Sequence, residues 1–260
     1  MSDLLARPVL QVRDLVHSFG KKVVHRNISF DLYEGEILSI MGASGGGKSL
    51  LLKSLIGLSR PDSGVIQFEG LNLCRLDEQI MQRVRSKIGF VFQEGALFDS
   101  LTVEQNLSYP LKLHARLSPG EMHDLVNERL ALMDLAGSND LYPHEISGGM
   151  QRRVGMLRAT MLDPLVVLFD EPTAGLDPIH VALFTRKLIQ LKRERGITGI
   201  LVTHDVECAF AVSDRIAMIE QGAICTIGTA DEIKNSPNPW VRSFLFPDFR
   251  GGGDERRTAS

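Results

Sequence analysis

The chain has 260 residues, 43% hydrophobic and 23% charged, a balance that excludes a disordered chain and suits one large domain with a sizeable core. Lys and Arg number 29 against 32 Asp and Glu, a net charge of -3, which argues against a dedicated nucleic-acid binder but not against a local loop that holds phosphate. Cys74, Cys208 and Cys225 are far apart and have no His partners nearby, so free thiols in a reducing compartment are expected rather than a metal site or disulfide.

In chain order, short β-rich runs at 9–13, 28–32 and 37–41 predict strands separated by turns such as Glu34-Gly35. Residues 42–49 form a glycine-rich loop, and 50–58 predicts a helix. Further strands are expected at 64–68 and 88–92. From 102 to about 135 the periodicity turns helical, and Ser118-Pro119-Gly120-Glu121 has the cap, proline and capping-box order of a helix start. Beyond Ser147 the order is helix, strand (165–169), helix (179–195), strand (199–203), helix (206–212) and strand (215–219). Alternation of this kind predicts an α/β fold with a mostly parallel sheet covered by helices. Gln221-Gly222 marks a tight turn into a strand at 223–227. The polar, glycine-rich stretch 250–260 is expected to be a disordered tail. No apolar run approaches the ~20 residues that span a bilayer. Residues 1–13 suit neither a signal nor a transit peptide. A soluble chain is expected, with any membrane role coming through a partner.

Gly42-Ala43-Ser44-Gly45-Gly46-Gly47-Lys48-Ser49 fits G-x-x-x-x-G-K-S/T between a strand and a helix, the context the phosphate loop requires. Its glycines let successive backbone N–H groups turn inward onto phosphate oxygens, and the following helix adds its positive end. Lys48 supplies a point charge to the β- and γ-phosphates of ATP, and Ser49 a hydroxyl for Mg2+. The uniformly apolar run 165–169 ends in Asp170-Glu171, at the strand edge where ligands bind in open α/β sheets. Asp170 suits Mg2+, and Glu171 suits proton abstraction from an attacking water. Ser147-Gly148-Gly149 caps a helix and permits close approach of an anion.

Together these segments resemble the ABC ATPase family over nearly the whole chain. Residues 146–150 resemble its signature, usually Leu-Ser-Gly-Gly-Gln, with Ile146 and Met150 as departures. Met150 lacks the hydrogen bonds of the usual amide, which leaves the contacts of Ser147, Gly148 and Gly149 in place. The resemblance implies an antiparallel N-terminal β-subdomain and a small helical subdomain, about 102–160, inserted in a domain spanning 1–249. It further implies that Gln93 senses the γ-phosphate and joins Ser49 and Asp170 at Mg2+. Phe19 would stack on adenine, Leu50 would follow the loop onto the nucleotide, Ala174-Gly175-Leu176-Asp177 would form the D-loop, and His204 would be the switch histidine. In that family the signature of one chain caps the ATP held by the other, so a homodimer is implied. Glu171, His204 and Lys48 would then carry hydrolysis.

Residues 92–103, the run Asn106-Leu107-Ser108-Tyr109-Pro110-Leu111, Ser147-Gly148-Gly149-Met150 with Arg152-Arg153, and residues 171–178 are similar to ATPases of MCE-type (Mla-type) phospholipid transporters. That resemblance implies an integral membrane permease, an MCE-domain substrate-binding protein and a small accessory protein, at the cytoplasmic face of a bacterial inner membrane. Two alternatives stay open: an importer ATPase for a small nutrient such as an amino acid, and a non-transport ABC ATPase. The second would need a coiled coil, zinc-binding cysteines or a tandem cassette, none of which these residues contain. The apolar and aromatic stretch 240–249 is expected to pack on this chain by default, with the twin chain or an accessory protein as alternatives.

Overall fold

A computed structural model describes residues 7–247. The expected tail at 250–260 and the last residues of the 240–249 stretch lie outside the described residues. Two sheets organise the chain. The first is antiparallel and contains β1 (Leu10–Phe19), β2 (Lys22–Leu32), β4 (Ser63–Phe68) and β5 (Leu71–Asn72) in the order β2-β1-β4-β5. The second contains β3 (Ile37–Gly42), β6 (Ile88–Val91), β7 (Val166–Asp170), β8 (Gly199–Val202), β9 (Arg215–Glu220) and β10 (Ala223–Gly228) in the order β10-β9-β3-β8-β7-β6. All its pairings are parallel except β10 on β9.

Strand β7 up to Phe169 and strand β8 are apolar because both faces are covered. Along β7, Val166 and Leu168 enter the core shared with the antiparallel sheet, while Val167 and Phe169 enter the core on the helical side. Ile200 and Val202 alternate with Leu201 in the same way on β8. A helix, α1 (Lys48–Leu55), buries Leu51, Leu52 and Leu55 in the first of these cores. The second gathers α3 (Val103–His114), α4 (Pro119–Leu132), α5 (Gly148–Thr160) and α6 (Pro178–Arg195), through Leu107, Leu130, Leu157 and Leu188 among others.

Several boundaries differ from the sequence expectations. β1 continues to Phe19 instead of stopping at 13, because a bulge at Asp14, φ 49, resets the alternation and returns Leu15 and His17 to the inner face. Gly64 sits against that bulge with φ 101, where a side chain would come within 2.7 Å of the Asp14 carbonyl. α1 starts at Lys48 and ends at Leu55, three residues short of 58, and Gly57 follows in a left-handed conformation. A helix at α2 (Glu78–Arg85) has no counterpart in the expected pattern, since only Met81 and Val84 face inward on an otherwise polar segment. The capping box expected at Ser118 and Glu121 is present at the start of α4.

The three cysteines are unpaired, with Cys208 buried and the others half-buried. A short α7 (Val206–Val212) and α8 (Ala230–Lys234) lead to α9 (Pro239–Leu245). Trp240, Val241, Phe244 and Leu245 pack onto a small core with Met41, Ile216 and Ile233, so this stretch rests on its own chain. Among the described residues no helix is long and apolar enough to cross a membrane.

Candidate active site

Three carboxyl ends of adjacent parallel strands supply the site. The glycine loop leaves β3, Asp170 closes β7, and His204 follows β8. β3 lies between β8 and β9, so the loop emerges centrally on the sheet, where open α/β sheets bind their ligands. Gly47, at φ 86 and ψ 4, caps α1 in a left-handed conformation and aims the helix start into the loop. The Lys48 ammonium, 6% exposed, donates to the carbonyls of Gly42 at 2.9 Å and Ala43 at 3.2 Å. It also lies 3.7 Å from Glu171 Oε1.

Glu171 carries the most constrained backbone of the site, with φ 46 in a non-glycine residue. Its N–H donates to the Val202 carbonyl at 2.9 Å, tying the turn after β7 to β8. Its Oε2 accepts from the backbone N–H of His204 at 3.2 Å and lies 2.8 Å from that residue's Nδ1. The carboxylate is thus anchored on one oxygen while the other faces Lys48.

Ser49 Oγ donates to Asp170 Oδ1 at 2.6 Å. Burial pushes the Asp170 carboxyl above its ordinary value, opposed by the Ser49 bond and reinforced by Glu171 beside it. A hydroxyl and a carboxylate oxygen this close are hard donors of the kind Mg2+ prefers. Among the described residues no three His, Cys, Asp or Glu side chains converge as a cage. The donor set therefore suits an ion that takes most of its ligands from phosphate and water, as Mg2+ does.

A cavity of about 450 Å3 brings together Phe19, Ser44, Gly45, Gly46, Gly47, Lys48, Ser49, Leu50, Gln93, Glu171 and His204. Phe19 stands 60% exposed at the end of β1, free to present its ring face. Ala174 also lines the cavity, whereas Gly42, Ala43, Asp170, Ser147, Gly148, Gly149 and Asp177 do not. Ser147 caps α5, accepting from the Met150 N–H at 3.3 Å. Asp177 caps α6, accepting from the N–H groups of Ile179 and His180 and pairing with the His180 ring. His180 packs against Gly149, where any side chain would collide with its ring, and Arg152 donates to the Ala174 carbonyl at 3.0 Å. The starts of α5 and α6 therefore meet each other, and of residues 171–177 only Glu171 and Ala174 line the cavity.

Two contributors are not among the expected site residues, Asn106 being marked only as part of the transporter-like run 106–111. Val24 lines the cavity from β2. Asn106, fully buried, accepts from the Phe98 N–H at 2.9 Å and donates to the carbonyls of Phe98, Leu101 and Thr102 at 3.0–3.1 Å. Arg158 donates to the Ala96 carbonyl at 2.8 Å and lies over the Phe98 ring. These bonds shape the loop that follows Gln93. A helical asparagine eight residues after a loop phenylalanine carries no spacing signal of its own.

A family model described as ABC transporter matches residues 25–174. The intermembrane phospholipid transport system ATP-binding protein MlaF of Escherichia coli K12 is 35% identical over 237 residues, covering 91% of this chain and 88% of that protein. The probable ribonucleotide transport ATP-binding protein mkl of Mycobacterium leprae is 36% identical over 236 residues, and the chain spans 68% of its length. For the Mycobacterium tuberculosis counterpart that share is 66%. Among solved structures, the ATP-binding cassette MJ0796, a dimer in a post-hydrolysis state bound to ADP and Pi, aligns at TM-score 0.77 and 30% identity over 85% of this chain and 98% of that one. CbiO1 of Clostridium perfringens, part of an ABC transporter complex, aligns at TM-score 0.80 and 27% identity over 92% of this chain and 96% of that one. The loop, the acidic strand end and the histidine thus stand on the fold of a nucleotide-hydrolysing cassette, and the chain belongs to the ABC transporter family as an ATP-hydrolysing subunit.

Proposed function

We propose that this chain powers phospholipid movement between the two membranes of a bacterial envelope, as one half of a homodimer beneath an integral membrane permease at the cytoplasmic face of the inner membrane. The observation that carries this is the match to MlaF along nine-tenths of both chains. An MCE-domain protein and a small accessory protein complete the assembly. Phe98 and Tyr109, exposed and 5.0 Å apart by ring centroids, offer the permease an aromatic contact next to the loop of Gln93. Leu113 extends that apolar surface by a further helical turn.

In the hydrolytic step, Phe19 holds the adenine, and the amides of 44–50 with Lys48 hold the phosphates. Ser49, Asp170 and Gln93 would hold Mg2+, which would supply charge neutralisation at the phosphates. Lys48 exchanges its bonds to Gly42 and Ala43 for phosphate oxygens. Glu171, anchored by His204, takes the proton of the attacking water. Ser147, Gly148, Gly149 and Asp177 act on the ATP of the opposite chain, in keeping with their absence from the cavity wall of their own. ATP favours the closed pair and hydrolysis releases it, a population shift passed on to the permease.

A second reading has its own support, since the mkl relatives, at 36% identity, are named for ribonucleotide transport. Purification of the tagged full chain with its membrane partners in mild detergent, followed by mass spectrometry, separates the two. Recovery of a permease with an MCE-domain protein and enriched phospholipid is expected. A permease with a soluble-ligand receptor and no enriched lipid would move the chain to the small-solute importers.

A further inference from the structure

Two histidines of the antiparallel sheet lie behind the glycine loop, and the hydrolytic step uses neither. His17 of β1 and His25 of β2 are cross-strand partners. Both are buried, 3% and 0% exposed, with ring centroids 6.0 Å apart edge to face. His17 places Nδ1 3.3 Å from Ser54 Oγ on α1 and Nε2 3.2 Å from Ser59 Oγ. Its ring centroid lies 5.4 Å from that of Phe19.

His25 Nε2 lies 2.9 Å from the carbonyl oxygen of Gly47. A carbonyl oxygen only accepts, so Nε2 carries the proton and Nδ1 a lone pair. That Nδ1 is buried without a partner. Burial lowers the pKa of His25, the bond to Gly47 opposes this, and His17 adds to the lowering. The Gly47 oxygen also accepts from the Leu51 N–H at 2.9 Å, the first bond of α1. The peptide that converts loop into helix is therefore held from both sides. β2 also closes on the glycine itself, since a side chain there would come 2.5 Å from Val24 Cγ1 and 2.7 Å from His25 Nε2. An apolar residue would fill position 25 without stranding a ring nitrogen. The bond to Gly47 is what the imidazole adds.

We propose that His25 is a positioning residue for ATP: its Nε2–H, donated from β2 to the Gly47 carbonyl, orients the loop-to-helix amides that meet the phosphates, and His17 joins the same ring pair to Phe19 on the adenine side. The proposal rests on residues 42–49 being the phosphate loop.

Calorimetric titration of ATP into the full chain tests it. His25→Leu is expected to weaken ATP binding about 3- to 10-fold, the worth of one hydrogen bond. His25→Gln, whose amide nitrogen reaches the same position, is expected to restore affinity to within about twofold of wild type, a rescue that a space-filling role would not produce. Unchanged affinity in His25→Leu, or a His25→Gln no better than it, overturns the proposal. Should His25→Leu fail to fold, side-chain NMR of the wild-type histidines at neutral pH decides: a proton on Nε2 supports the proposal, and an Nδ1–H tautomer with Nε2 unprotonated overturns it. Lys48→Ala is the control for the underlying reading. If it binds ATP as wild type does, the phosphate-loop assignment fails; if it loses binding while His25→Leu does not, only the role of His25 fails.

Discussion

Glu171 is held in a left-handed backbone conformation that costs a non-glycine residue on the order of 1–3 kcal/mol, and such strain persists only where surrounding bonds enforce it. The Val202 carbonyl, the His204 N–H and the Lys48 ammonium supply that enforcement. Lys48, Ser49, Asp170 and Glu171 are legible in the sequence because each belongs to a linear motif whose chemistry is local. His25 is not, because its partner Gly47 is reached only through the register of β2 against the loop. Its buried ring has a pH consequence. With the folded pKa below the ordinary value, the unfolded chain takes up a proton that the folded chain refuses. The contribution of His25 is therefore intact above about pH 6.5 and is lost as pH falls toward its folded value. The stability advantage of wild type over His25→Gln, read from urea midpoints, is expected to shrink between about pH 7.5 and about pH 5.5. A constant or widening gap would contradict this. His123, whose pKa the Glu104 hydrogen bond raises, works in the opposite sense and cancels in the comparison.

At the scale of elements, the parallel sheet was the most legible part of the fold. The apolar strands β7 and β8 have both faces buried, and their motif-bearing ends follow the topology. What escaped was set by tertiary contact: the bulge that prolongs β1 to Phe19, and the polar helix α2 resting on Met81 and Val84. The loop between β6 and α3 also takes its shape from a distant side chain. Asn106, buried in α3, accepts from the Phe98 N–H and places its two amide hydrogens among the carbonyls of Phe98, Leu101 and Thr102, of which the Phe98 and Thr102 oxygens also accept from backbone N–H groups. Asn106→Ala would leave the Phe98 N–H and the Leu101 carbonyl short of partners away from water, while the Phe98 and Thr102 carbonyls keep the N–H groups of Leu101 and residue 106, at a cost of about 1–3 kcal/mol. The expected observation is a lower urea midpoint at unchanged slope. A shift worth less than about 0.5 kcal/mol, the scatter of ordinary surface substitutions, would mean that water replaces the amide freely.

At the scale of the whole molecule, Ser147, Gly149 and Asp177 stand outside the cavity wall, on a surface where His180 packs against Gly149. A single chain presents half of each proposed site, and a two-fold partner would complete both. The phosphate loop and the signature are each read locally; the two-chain arrangement comes from the family resemblance, and the absence of Ser147 and Gly149 from the cavity wall agrees with it. The most direct measurement is made on Glu171→Gln with ATP and Mg2+, combining turnover, light scattering and bound-nucleotide analysis. Turnover is expected to fall ~10²- to 10⁴-fold, the span for a lost general base. The chain is expected to accumulate as a dimer with one ATP per chain. Near-normal turnover, or a chain that stays monomeric at saturating ATP, would contradict the account.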